Sequence, residues 1–159
     1  MKNTVLSLFF VLFLLPCFAQ EKIPLNLFWS GTRKDNFTSA AIWSASNPPS
    51  GYIFVRVEGH IFKNQEPGTI PLTLYWNKQK NDNATLAGEK PENYFSLGYI
   101  SARVEGYIYA EQVAGTIPLF LYTNFTTRND IETIACRVSQ ESANGQGYKF
   151  GRILGYIFP

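Results

Sequence analysis

Cysteine and histidine are almost missing from this chain: its 159 residues include two cysteines, one histidine and one methionine. A lone histidine, His60, leaves no histidine cluster for a metal and no histidine pair for acid–base work. Its position in the first repeat is taken by Tyr107 and Tyr156 in the others, so an aromatic structural slot describes it better than a general base. No Gly-x-Ser-x-Gly elbow and no cofactor motif is present, so catalysis and a bound cofactor are not expected. Charge of one sign is also scarce, with 14 Lys and Arg against 12 Asp and Glu. Such a balance gives no electrostatic case for nucleic acid or for an anionic membrane surface.

Long apolar runs are absent apart from one. Lys2 precedes an apolar stretch over 5–15, Pro16 breaks it, and Cys17-Phe18-Ala19 supplies small residues at a cleavage site. This reads as a secretory signal peptide over 1–19. The run is shorter than the roughly 20 residues a membrane helix needs, so no membrane span is expected. Pro16 directly before Cys17 argues against a lipid anchor there. The expected product is a secreted, extracellular domain over 20–159, a monomer, with Cys136 as its one cysteine. No internal disulfide is then available, and stability must come from the core. A chain of this length can bury roughly two thirds of its unfolded surface. Cys136 fits a buried small apolar residue better than a reactive thiol.

What the chain does have is a repeat. Ile23-Pro24-Leu25-Asn26-Leu27-Phe28-Trp29, Ile70-Pro71-Leu72-Thr73-Leu74-Tyr75-Trp76 and Ile117-Pro118-Leu119-Phe120-Leu121-Tyr122 place their prolines 47 residues apart, twice. A fixed period of that size means three copies of one unit, over 23–69, 70–116 and 117–159. Each unit continues through a polar loop, an Asp step and an irregular stretch, and closes on a Gly-Tyr segment. Period-2 alternation rich in β-branched and aromatic residues predicts strands. Four short strands are expected per unit, the last two split by Gly59, Gly106 or Gly155, where the backbone needs a positive φ or a close approach. Only a turn or two of helix is expected, near 39–46, 88–95 or 136–143. The fold class is therefore all-β. A β-trefoil of three units with pseudo-threefold closure fits best, and a β-prism is the other candidate.

The motifs resemble a repeat family of secreted and surface proteins of bacteria and fungi. The likeness is carried by Pro71-Leu72-Thr73-Leu74-Tyr75-Trp76-Asn77, Asp35-Asn36-Phe37-Thr38, Glu58-Gly59, Glu105-Gly106, Tyr156-Ile157-Phe158-Pro159 and Gly115-Thr116-Ile117-Pro118-Leu119. It covers nearly all of 20–159. The resemblance implies a trefoil-like module, often attached to secreted enzymes, with carbohydrate binding as its expected role. The family pattern has a histidine after the aspartate; here Asn36, Asn83 and Ile131 stand in its place.

Sugar recognition needs a carboxylate and an amide for vicinal hydroxyls and an apolar face for the ring. Asp35-Asn36 and Asp82-Asn83 supply the polar pair twice, and Asp130 the carboxylate alone. The alternative is that these aspartates accept backbone N–H groups in turns. Trp29 and Trp76 share strand phase with leucines and are expected in the core. Phe28, Tyr75 and Tyr122 fall on the other face and are candidate stacking surfaces, together with Trp43, which has no counterpart in the other units. Arg56, Arg103 and Arg152 recur and are expected to pair with carboxylates. Asn36, Asn83 and Asn124 open glycosylation sequons, relevant only in a eukaryotic source. Two functions follow: a lectin-like module for a glycan or cell-surface polysaccharide, or a module that engages a secreted protein through its loops.

Overall fold

The computed structural model describes residues 20–40, 42–88, 98–124, 132–145 and 147–159. The expected signal peptide and Asp130 lie outside them. The described residues are all-β and antiparallel, with nine strands among them: β1 Lys22–Ser30, β2 Asp35–Ser39, β3 Ile53–Phe62, β4 Thr69–Asn77, β5 Asp82–Ala87, β6 Ile100–Tyr109, β7 Ile117–Asn124, β8 Glu132–Cys136 and β9 Lys149–Ile157. A short helix, α1 Gln140–Asn144, precedes β9 and is capped by the Ser139 side chain. Among the described residues no helix is long and apolar enough to cross a membrane.

Among the described residues each repeat contributes three strands rather than the four expected. The first pairs with the second as a hairpin and with the third along its other edge. The Gly-Tyr segment is one continuous strand. At Gly59 the chain bulges instead of turning: Leu25 pairs with Gly59 and Asn26 with Val57, leaving Glu58 as the extra residue. Glu105 and Leu154 are bypassed in the same way. An unpaired extra residue bends a strand without reversing it.

The prolines sit where they cost least. Pro24 and Pro118 pair only with the third strand of their repeat, because the hairpins begin at Asn26 and Phe120. A proline cannot donate to a ladder, so a stretch with one partner tolerates it. The first two hairpins turn through Lys34 and Asn81, both at positive φ. Ser30 Oγ and Asn77 Oδ1 brace these turns by accepting from the N–H groups of Arg33 and Lys80.

The core repeats as the sequence does. Leu25, Leu72 and Leu119 are wholly buried and meet Ile61, Ile108 and Ile157 in one cluster. The third strands touch each other through single pairings, Phe62 with Tyr107 and Tyr109 with Tyr156, and through the His60–Phe158 bridge. Phe62, Tyr109 and Phe158, one from each repeat, meet edge to face with centroids 5.4, 5.3 and 6.0 Å apart. Such pairs add stabilisation beyond their buried area.

Candidate functional site

The Asp-Asn steps open β2 and β5, and both aspartates are buried. The Tyr52 hydroxyl donates to Asp35, and the Tyr99 hydroxyl to Asp82. Asn83 Nδ2 donates to Asp35 Oδ2 and to the Tyr52 hydroxyl, each at 3.2 Å. Asn36 Nδ2 reaches the Tyr148 hydroxyl of the third repeat at 3.0 Å. The asparagine bonds run from one repeat to the next, as do Thr38 Oγ1 to Ala135 O (2.6 Å) and Thr85 Oγ1 to Thr38 O (2.7 Å), whereas each tyrosine–aspartate bond stays within its repeat. Burial, reinforced by the Asp35 carboxylate, pushes the Tyr52 hydroxyl pKa well above the usual phenol range and keeps it a donor. Both aspartates thus face inward, and Asn36 and Asn83 fasten seams between repeats. A sugar at the surface does not meet Asp35 or Asp82.

The third repeat departs in register. Ser30 pairs with Asp35 and Asn77 with Asp82, but Asn124 pairs with Glu132. The connection before β8 is three residues longer than its two counterparts. Glu132 therefore holds the strand position that Asp35 and Asp82 hold in the other repeats.

The aromatic assignments also change. Phe28, Tyr75 and Tyr122 are buried, whereas Trp29 and Trp76 are only partly so. The four residues Leu25 to Phe28 are all buried, so β1 is covered on both faces and strand phase does not select an outside. Trp43 is half-buried rather than a free stacking surface. Its ring meets Phe37 edge-on at 5.5 Å and lies over the Arg103 guanidinium at 4.2 Å.

A cleft of about 640 Å³ does open to solvent, between the first repeat and the third. Strands β1 and β3 give it Leu27, Trp29, Ile53, Phe54, Val55 and Arg56, and β2 gives it Asn36. The third repeat gives it Tyr122, Asn124, Cys136, Val138, Ala143 and Tyr148. Arg56 Nη2 is paired with Glu58 Oε1 at 2.8 Å, and Glu58 is wholly buried behind it. Of the residues expected from sequence to bind a ligand, Asn36 and Tyr122 line this cleft; Asp35, Asp82, Asn83, Tyr75 and Trp43 do not. Trp29, Phe54, Arg56 and Tyr148 were not expected there. The signal for them was the failure of the irregular stretch before Tyr148 to supply an aromatic like Trp43.

Cys136 lies in the cleft wall, and burial raises its thiol pKa to about 11. A protonated thiol is a poor nucleophile. At pH 8 the native protein is expected to react with a thiol reagent such as dithiobisnitrobenzoate about a hundredfold or more slower than the urea-unfolded chain. Between pH 8 and 10 the native rate should climb about tenfold per pH unit, following the thiolate fraction. Rapid stoichiometric labelling of the native protein at pH 8 would contradict the buried placement. Among the described residues no three His, Cys, Asp or Glu side chains are grouped to hold a metal ion. Comparisons with models of known protein families, with curated proteins and with solved structures give no match to this chain.

Proposed function

We propose that the chain is a secreted, non-catalytic binding module built as a β-trefoil, and that its ligand enters the cleft between the first and third repeats. The observation that carries this is the composition of the cleft. Ligand sites are concavities of about 300–1,000 Å³, mostly apolar, with a few polar groups that fix orientation. Here ten of the thirteen lining residues are apolar or aromatic, and Asn36, Asn124 and Arg56 supply the polar minority. The trefoil reading draws on the triplicated Leu25, Leu72 and Leu119 layer and on the edge-to-face ring triplet at the ends of the third strands. The non-catalytic reading draws on a cleft whose one nucleophilic side chain is held as a thiol.

A ring-bearing ligand fits this lining. The lectin-like reading moves with it, from the Asp-Asn steps to a place where Trp29 offers a ring face and the asparagines offer amides. A protein partner is the second reading. Ile53 and Val55 favour it, since both line the cleft and are 63% and 42% exposed. A glycan array and a library of small ring compounds, read on the wild-type chain and on Ala143→Leu, separate these cases. Ala143 is a buried cleft residue on α1, so leucine there narrows the site. Hits lost in the variant place the ligand in the cleft. Hits that survive in a folded variant put the site elsewhere and sink the proposal.

A further inference from the structure

The strand register makes Arg56 and Arg103 counterparts, each paired with the leucine in mid-strand, Leu27 and Leu74. Their surroundings match in turn. Arg56 pairs with Glu58 at 2.8 Å and Arg103 with Glu105 at 2.7 Å. The second oxygen of each glutamate accepts a backbone N–H from the neighbouring repeat, Arg137 at 2.9 Å and Ala40 at 2.8 Å. Arg152, the third counterpart, donates to Ala87 O, and the stretch 89–97 beyond it lies outside the described residues.

The two seams differ in what covers the guanidinium. The chain that follows Ala40 brings Trp43 over Arg103, with the ring centroid 4.2 Å from Cζ. Asn26 Nδ2 fastens that tryptophan by donating to its carbonyl at 3.1 Å. The chain that follows Arg137 has no aromatic residue from 138 to 147. It forms α1 instead and presents Val138 and Ala143. Beneath Trp43 lies a cluster containing Phe28, Tyr52 and Leu74. The counterparts of these three are Tyr122, Tyr148 and Leu27, and all three line the cleft. The cleft is the same seam without its tryptophan.

We infer that the cleft takes a planar aromatic ring stacked on Arg56, in the place that Trp43 occupies on Arg103; this deepens the binding role proposed above and depends on the cleft being the ligand site. The ion pair with Glu58 does not stand in the way, because Arg103 carries both its carboxylate and its aromatic cover. A guanidinium is planar and weakly hydrated, so it pairs edge-on with a carboxylate while its face stacks on a ring. The ring can come from a small free arene or from a tryptophan or tyrosine side chain of a partner polypeptide.

The test is an NMR titration of the isotope-labelled chain with indole, with an end-blocked Gly-Trp-Gly peptide and with methyl glucoside. Indole is expected to saturate and to shift Arg56, Trp29 and Tyr148. Arg56→Lys keeps a positive charge beside Glu58 but loses the planar face, and should weaken indole about three- to fivefold. Ala143→Leu should abolish the shifts while the protein stays folded. Indole binding unchanged in Arg56→Lys overturns the stacking. Methyl glucoside bound in the cleft without indole overturns the aromatic ligand and leaves the cleft as the site. No probe in the cleft overturns both. A peptide bound at least about tenfold tighter than indole assigns the ring to a polypeptide partner, and equal affinity assigns it to a free arene.

Discussion

Glu105→Ala is expected to lower the free energy of unfolding by about 3–5 kcal/mol. The Glu105 carboxylate is completely buried, paired with Arg103 at 2.7 Å, and accepts from Ala40 N–H at 2.8 Å and from the Ser39 hydroxyl at 2.9 Å. Arg103 also reaches Ser39 Oγ at 3.1 Å. Truncation therefore strands a partly buried guanidinium, a backbone donor and a hydroxyl together. Leaving buried polar groups without partners costs far more than the net worth of the bonds removed. Glu105 also sits at the bulge, so its bonds tie the second repeat to the end of β2 in the first. The third repeat supplies an internal comparison. Buried Leu154 occupies the bulge position there, and Arg152 donates to a backbone carbonyl instead. Glu105→Leu should accordingly cost less than Glu105→Ala, because an apolar side chain fills the space that alanine leaves. Urea denaturation followed by circular dichroism measures both. A loss below about 1 kcal/mol for Glu105→Ala would show that the carboxylate does not hold the seam.

The triplicated core was legible in the sequence because it depends on spacing alone. Leu25, Leu72 and Leu119 follow the prolines at one offset, and all three are at the centre. The arginine–carboxylate pairing was legible for two of the three recurring arginines: Arg56 and Arg103 pair with Glu58 and Glu105, whereas Arg152, expected to do the same, donates to the Ala87 carbonyl. Strand number was not legible. A glycine in a strand can mark a turn or a bulge, and only the partner across the ladder decides which. At Gly59 the partner continues straight through, so one bent strand forms where two were expected.

Orientation failed where burial is two-sided. Period-2 phase separates inside from outside only when one face of a strand meets water. β1 lies between β2 and β3, with both faces covered from Leu25 to Phe28, so Phe28 is as buried as Leu27 and Trp29 emerges at the cleft. The Asp-Asn pairs were visible as repeated polar steps, but their tyrosine partners were not: Tyr52 and Tyr99 stand just before the third strand of the same repeat and hold the aspartates inside, and Tyr148 comes from another repeat to meet Asn36. The uniqueness of Trp43 was visible as well. It indicates a filled seam in one repeat and, by its absence after Arg137, an open one in another.

Gly106→Ala is expected to destabilise the fold by about 3–5 kcal/mol, whereas Gly115→Ala should cost only about 1–2 kcal/mol. Both glycines have positive φ, +158° and +81°. They differ in what a methyl group would meet. A Cβ on Gly106 would lie 2.6 Å from both Ile61 Cδ1 and the Phe62 carbonyl oxygen, while one on Gly115 would meet nothing within 4 Å. The carbonyl oxygen belongs to the backbone of β3 and cannot rotate away. Relief requires β3 and β6 to separate, and these strands meet at the single Phe62–Tyr107 pairing beside the ring triplet. Alanine at 106 therefore adds overpacking to backbone strain, whereas at 115 backbone strain alone opposes it. Gly59 and Gly155 approach their neighbours equally closely, 2.3 Å from Phe158 O and 2.5 Å from Tyr109 O for an added Cβ. Each of the three glycines admits a third strand of one repeat against that of the next, so all three alanine variants should fall in the same range by urea denaturation. If Gly106→Ala and Gly115→Ala prove equal, close strand approach is not what requires glycine at the bulge, and backbone conformation alone would account for it.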